Sequence, residues 1–197
     1  MSVKNSHTTA DYIPWDNATN VVRRLYKDGE YRMSLFIACG IFTGLRVTDL
    51  RSLRWSNLMG DDTITIIEHK TQKRRNIKLN HELQKLVKDC YQKLTIKNPN
   101  ELCFLSQKKV VFSIQRLNIM LKDIKKKYRL PVKNMSCHSL RKSFGRKIFD
   151  EAAQNNNSEM ALIKLSEIFG HSNTQITRRY LGLKQEEILQ AYDLLTF

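Results

Sequence analysis

Acidic residues are scarce in this chain: 19 Asp and Glu stand against 34 Lys and Arg, a formal net charge of +15 over 197 residues. That deficit argues against a cationic partner and points to a polyanion. Glycine and proline are few, 7 and 3, and no Pro-, Gly- or Ser-rich linker or internal repeat divides the chain, so one compact unit is expected. With 41% hydrophobic residues the chain can bury a core, which excludes a disordered basic tail. Long apolar runs are missing too. The longest, Leu35 to Phe42, falls far short of the roughly 20 residues that span a bilayer. The amino-terminal stretch MSVKNSHTTADYIPWDNA has no apolar signal core, so secretion is not expected. The four cysteines, Cys39, Cys90, Cys103 and Cys137, sit singly rather than in the close pairs of a zinc site. They read as reduced, mostly buried thiols of a cytoplasmic protein. No Gly-rich phosphate loop and no carboxylate cluster is present. What remains is a folded domain for a nucleic acid.

Helical spacing dominates what is there. Ile114, Leu117, Leu121, Ile124 and Tyr128 step by 3, 4, 3 and 4 with lysines between them, and Leu83, Leu86, Val87, Cys90 and Leu94 repeat the pattern. One segment differs. Thr63-Ile64-Thr65-Ile66-Ile67 alternates and is β-branched, and Asn76-Ile77-Lys78-Leu79 alternates again after a polar loop over residues 70–75. The pattern predicts a β-hairpin with a basic tip, with Leu102-Cys103-Phe104 a candidate third short strand. The expected class is α+β, mainly α-helical, with a small antiparallel sheet.

Three segments carry chemistry. In Cys137-His138-Ser139-Leu140-Arg141, His138 and Arg141 are three residues apart and share a helix face. The imidazole can move a proton near neutral pH, and the guanidinium fork matches two phosphate oxygens. Alone, His-x-x-Arg is common and decides nothing. In Gly170-His171-Ser172-Asn173-Thr174-Gln175, Ser172 and Gln175 fit a capping box that would start a short helix, with Gly182 as its stop. Tyr180 falls near the end of that helix beside Arg178 and Arg179, whose positive field favours the phenolate a nucleophile needs. In Thr43-Gly44-Leu45-Arg46-Val47-Thr48-Asp49, the Asp49 carboxylate could orient Arg46.

Taken in order, Gly-Leu-Arg46-Val-Thr-Asp-Leu, the hairpin Lys70 in Glu-His-Lys-Thr-Gln-Lys-Arg-Arg, His138-x-x-Arg141, Gly-His171-Ser and Tyr180 nine positions later resemble the tyrosine recombinase (phage integrase) family. The resemblance runs from about Asp16 to the end. It implies that residues 16–197 form a recombinase catalytic domain with a carboxy-terminal helix over about 184–195, residues 1–15 being an extension or linker. It also implies site-specific cleavage and rejoining of double-stranded DNA through a 3′-phosphotyrosyl intermediate, for integration or excision of a mobile element or for DNA inversion. Arg46 and Arg141 would clamp the scissile phosphate, Tyr180 would attack it and Lys70 would protonate the leaving 5′-oxygen. His138 would act as acid and base, and His171 would hydrogen-bond the phosphate, with Asp49 supporting Arg46. Lys73 competes with Lys70 for its role. No metal and no ATP or other cofactor would be needed.

The basic residues Lys73, Arg74 and Arg75 of the hairpin and Lys125, Lys126 and Lys127 of the helix suit DNA phosphates. The terminal helix, with Ile188, Leu189, Tyr192 and Leu195, would dock on a neighbouring protomer in a synaptic tetramer or pack on its own domain. DNA-bending or directionality proteins would be the accessory partners. Departures from the family pattern are Lys142, where many relatives carry histidine, and a polar stretch from Asp150 to Glu159 that reads as a surface loop insertion. The room before Asp16 is too small for the helical clamp domain of most relatives, which leaves a catalytic domain of a longer integrase or a short free-standing recombinase. A type IB topoisomerase and a DNA-binding regulator that lost catalysis are the alternatives.

Overall fold

The computed structural model describes residues 9–193, and its elements fall into two compact units that meet in sequence between Phe144 and Gly145. The first holds α1 (Trp15–Lys27), α2 (Tyr31–Thr43), α3 (Val47–Arg51), α4 (Trp55–Leu58), β1 (Thr63–Ile67), β2 (Arg74–Lys78), α5 (His81–Lys93), α6 (Ile114–Tyr128) and the start of α7 (Cys137–Gln154). The second holds the rest of α7, α8 (Ser158–Phe169), α9 (Thr174–Leu181) and α10 (Leu183–Tyr192). No described helix is long and apolar enough to cross a membrane.

At the centre of the first unit lies α2, in which every residue from Met33 to Ile41 is buried. A helix apolar all round must be covered on all sides. Its neighbours α1 and α5 are amphipathic instead and turn Val21, Val22 and Leu25, and Leu83, Val87 and Cys90, inward. Both helices predicted by spacing are found, α5 capped by the Asn80 side chain on the Leu83 amide and α6 by Ser113 on Arg116. The four described cysteines are buried free thiols, and burial pushes Cys90 and Cys137 up to about 12.

The hairpin is antiparallel, but its second strand begins at Arg74 rather than Asn76. Ile66 and Ile67 take Arg75 and Arg74 as partners, so the ladder consumes residues expected in the loop and leaves a turn over residues 68–73. Gln72, at φ 55°, lets the chain reverse there, with the Glu68 amide donating to the Lys73 carbonyl. No third strand forms among the described residues. Leu102 makes only a single bridge to Arg54, because α4 starts at Trp55 and removes the extended partner that a strand would need.

In the second unit the cap of α9 is Asn173, not Ser172: its side-chain oxygen accepts the Ile176 amide at 3.0 Å. Asn and Ser cap equally well, and one residue of shift is enough to exchange them. Gly182, at φ 85°, closes α9 as expected. The polar stretch after Asp150 is no loop insertion. α7 runs on to Gln154, supported by the ion pairs Arg146–Asp150 and Lys147–Glu151, and only residues 155–157 intervene before α8. Paired charges at helical spacing make a polar run helical, which a hydrophobicity pattern does not register. The terminal helix begins one residue earlier than expected and is described to Tyr192; Leu195 and residues 1–8 of the expected amino-terminal extension lie outside the described residues.

Gly44 leaves no room for a side chain. It ends α2 in the left-handed region at φ 60°, and a β-carbon there would lie less than 3.0 Å from three ring carbons of Phe144. Gly44→Ala combines left-handed strain of about 1–2 kcal/mol with overpacking of similar size. A fall in melting temperature of at least ~5 °C is expected for a chain of this size. A melt within the error of the unaltered protein would show that Phe144 yields freely.

Candidate active site

The short link from α2 to α3 organises the first half of the site. The Thr43 hydroxyl donates to the Cys39 carbonyl at 2.6 Å and accepts the Leu45 amide at 3.3 Å, which ties the first residues of the link to the end of α2. Arg46 follows in extended conformation as the cap residue of α3, and its carbonyl takes the Asp49 and Leu50 amides. The carbonyls of Thr43 and Gly44 have no place in either helix. Arg75 donates to the first at 3.0 Å and Arg141 to the second. Arg46 itself donates to the Glu68 carboxylate at 2.8 Å. Two guanidiniums are thus held on the carbonyls of residues 43 and 44, and Arg46, two residues on, shares Glu68 with Arg75.

Glu68, the one carboxylate between Asp62 and Glu82, was not among the residues singled out by spacing. It is 5% exposed and also accepts from Thr71 at 2.8 Å and pairs with Arg75 at 3.4 Å. Burial alone would raise its pKa, but the Thr71 hydroxyl, Arg46 and Arg75 outweigh that and hold it below the usual value. Asp49, buried in α3, accepts the His69 amide through Oδ1 at 2.9 Å and so ties the hairpin turn to α3. Lys70 is the next residue, exposed in that turn, and Lys73 and Arg74 are exposed at its far side. Arg75 turns back into the protein.

α7 starts with reciprocal serine caps: Ser136 accepts the His138 amide at 3.2 Å, and Ser139 accepts the Ser136 amide at 3.1 Å. This fixes the first turn, with His138 accessible and Arg141 buried. Partial desolvation of the His138 ring, reinforced by Arg141 and Lys142, lowers its pKa below the ordinary 6.5.

The second unit brings His171 and Tyr180 together. Their rings meet edge to face at 5.5 Å, and Phe169 packs edge to face on Tyr180 at 5.4 Å. Ser166 spends its proton on the Leu162 carbonyl, so the 2.9 Å contact with Thr177 is a Thr177 donation. Thr177 then has only lone pairs left for His171 Nδ1, 2.9 Å away, which must carry a hydrogen. Nε2 is therefore an acceptor in the neutral ring and a donor only in the imidazolium. Arg178, beside Tyr180, is paired with Glu187.

Of the other basic residues singled out by sequence, Lys126 is exposed. Lys125 donates to the Lys133 carbonyl at 2.6 Å, and Lys127 pairs with Asp28 at 2.7 Å. Lys122, Lys125, Lys126 and Lys133 line a cleft of about 560 Å³.

The model of the phage integrase family matches residues 17–187. The chain belongs to that family. Its members, the tyrosine recombinases, are DNA breaking-and-rejoining enzymes. The chain is similar to the probable integrase/recombinase YoeC of Bacillus subtilis (strain 168), with 26% identity over 155 residues, 78% of each chain. Among solved structures it shares its fold with XerA recombinase, at 22% identity and a TM-score of 0.69 over 98% of this chain and 68% of that one. It also shares it with XerH recombinase bound to palindromic difH substrate, at 20% identity and a TM-score of 0.69 over 98% of this chain and 56% of that one.

Two ring titrations check this geometry. In nitrogen-resolved NMR the His138 midpoint is expected below that of an ordinary histidine; a midpoint at or above it would remove the desolvation inferred here. Neutral His171 is expected as the Nδ1–H tautomer, and Thr177→Val should release that preference.

Proposed function

We propose that this chain is the catalytic domain of a site-specific recombinase that cleaves and rejoins double-stranded DNA through Tyr180. The observation that supports it most is that, in a member of this family, Arg75 and Arg141 are held on the carbonyls of Thr43 and Gly44 while Arg46, from the same link, shares Glu68 with Arg75. A phosphodiester gains charge on its non-bridging oxygens as it is attacked, and preorganised guanidiniums stabilise that charge. In this reading Arg46 and Arg141 hold the non-bridging oxygens. Tyr180 Oη forms a bond to phosphorus as the bond to the 5′-oxygen breaks, leaving a 3′-phosphotyrosyl link and a free 5′-hydroxyl. The phenolic proton passes to His138, and Lys70 gives a proton to the departing oxygen. His171 donates from Nε2 to the phosphate, which its Nδ1–H arrangement permits in the imidazolium form. Lys70 is favoured over Lys73 because it adjoins Glu68 and His69, the turn residues tied to Arg46 and Asp49.

Retaining the backbone energy in the tyrosyl adduct lets the strands be rejoined without ATP, and the basic side chains supply the charge that a metal would otherwise provide. Lys73, Arg74 and Lys126 contact flanking phosphates. Residues 16–197 make up the catalytic domain, and residues 1–15 an extension. The apolar side chains of α10 support docking on a neighbouring protomer, since Ile188, Leu189 and Tyr192 are 45%, 56% and 67% exposed. A synaptic tetramer on DNA, in the cytoplasm, acting in integration, excision or inversion with accessory DNA-bending proteins, is the assembly this implies.

The test uses nicked duplexes tiled across the DNA that flanks the gene, with denaturing gels. A denaturation-resistant adduct mapping to Tyr180 is expected. Tyr180→Phe should bind the same duplex and form none, and Arg141→Ala should form it at least ~10²-fold more slowly. Specific binding without an adduct would favour the regulator, and relaxation of any supercoiled plasmid by the monomer the topoisomerase.

A further inference from the structure

The geometry points to Glu68 as a positioning residue for strand cleavage: it sets the orientation of Arg46 and couples it to the turn that carries Lys70. This inference rests on the role proposed above for Arg46.

An ionised carboxylate is costly to bury unless it is paired and hydrogen-bonded. Glu68 is buried among three donors drawn from three places, the α2–α3 link, the hairpin turn and β2. Of its two ion pairs the one with Arg46 is the shorter, 2.8 Å against 3.4 Å for Arg75, so Arg46 is its principal charged partner. The contact has a consequence for the guanidinium. A long arginine side chain has many rotamers, and a fixed partner removes the search before a phosphate arrives.

The backbone of Glu68 acts on the same turn. Its amide donates to the Lys73 carbonyl at 3.0 Å and its carbonyl accepts the Gln72 amide at 2.9 Å, which closes the loop around residues 69–71. The Asp49 carboxylate holds the His69 amide from the α3 side. Glu68 therefore joins Arg46 to the turn through its side chain and shapes that turn through its backbone. A phosphate bound by Arg46 would meet Lys70 in a register that Glu68 sets together with Asp49.

The test compares Glu68→Gln and Glu68→Asp with the unaltered chain on the nicked duplexes described above. Glutamine keeps the shape and loses the charge, whereas aspartate keeps the charge and withdraws it by one methylene, so the buried arginines remain compensated. Melting curves establish that each variant is folded. Single-turnover adduct formation at saturating protein is expected to fall ~10- to 100-fold, the scale of a misplaced catalytic group, with non-covalent affinity within about threefold. The deciding arm is Arg46→Lys alone and with Glu68→Gln. If Glu68 works through Arg46, adding the second change costs less than ~2-fold.

Full additivity of the two changes would overturn the inference, as would adduct formation at the unaltered rate by a folded Glu68→Asp. Loss of affinity in parallel with rate would also overturn it, because a merely structural role predicts that pattern. No adduct from the unaltered chain would sink the strand-cleavage reading itself and this inference with it. That outcome is distinct from cleavage that ignores Glu68.

Discussion

Buried guanidiniums need acceptors, and the first unit is arranged around supplying them. Arginine cannot shed its proton within a protein, so every arginine drawn inward must find carbonyls or a carboxylate. Here α2 ends abruptly at Thr43 and Gly44, and the two carbonyls left outside both helices accept from Arg75 and Arg141. Arg46 emerges from the same four residues and turns to Glu68. A regular helix continued past Thr43 would have consumed those carbonyls in its own hydrogen bonds. The break, made possible by the left-handed glycine, is what lets α2, the hairpin and α7 be joined at one place.

The apolar core makes that polar junction tenable. α2 is buried along nearly its whole length, with Phe36 packed edge to face on Phe104 and Leu140 of α7 set close against Gly40. These contacts hold the end of α2 still. Hydrogen bonds contribute only modestly to net stability, but a buried donor left without a partner is expensive. The fold therefore derives its strength from the apolar contacts and its geometric precision from the polar ones. In the second unit, a core of Phe169, Leu165 and Leu181 supports a hydroxyl relay through Ser166 and Thr177, which in turn orients His171.

Much of the fold was legible in the sequence because helices and hairpins announce themselves locally. The spacing of Leu117, Leu121 and Ile124 places α6, and the alternation of Thr63 to Ile67 places β1. Where the expectation failed, the deciding force was not hydrophobic. Asn173 displaced Ser172 as a cap through a single side-chain hydrogen bond, and α7 continued through a polar tract on ion pairs. Arg75 looked like a phosphate contact among the other basic residues of the hairpin, and only the fold shows that its guanidinium faces inward. Glu68 stood in the hairpin motif without a role, since its contact with Arg46, 22 residues away, exists only in the fold.

By itself, the sequence determined which residue types stand in which order: the family, the mainly helical class, the basic surface, and the six residues on which the proposed chemistry rests. These are properties of composition and short-range spacing. Only the tertiary structure decided what each charge touches. Arg141 reaches Gly44 across 97 residues and Arg75 reaches Thr43 across 32. No periodicity encodes such pairings, because they arise when the chain breaks a helix, frees two carbonyls, and must satisfy the charges that packing has brought beside them.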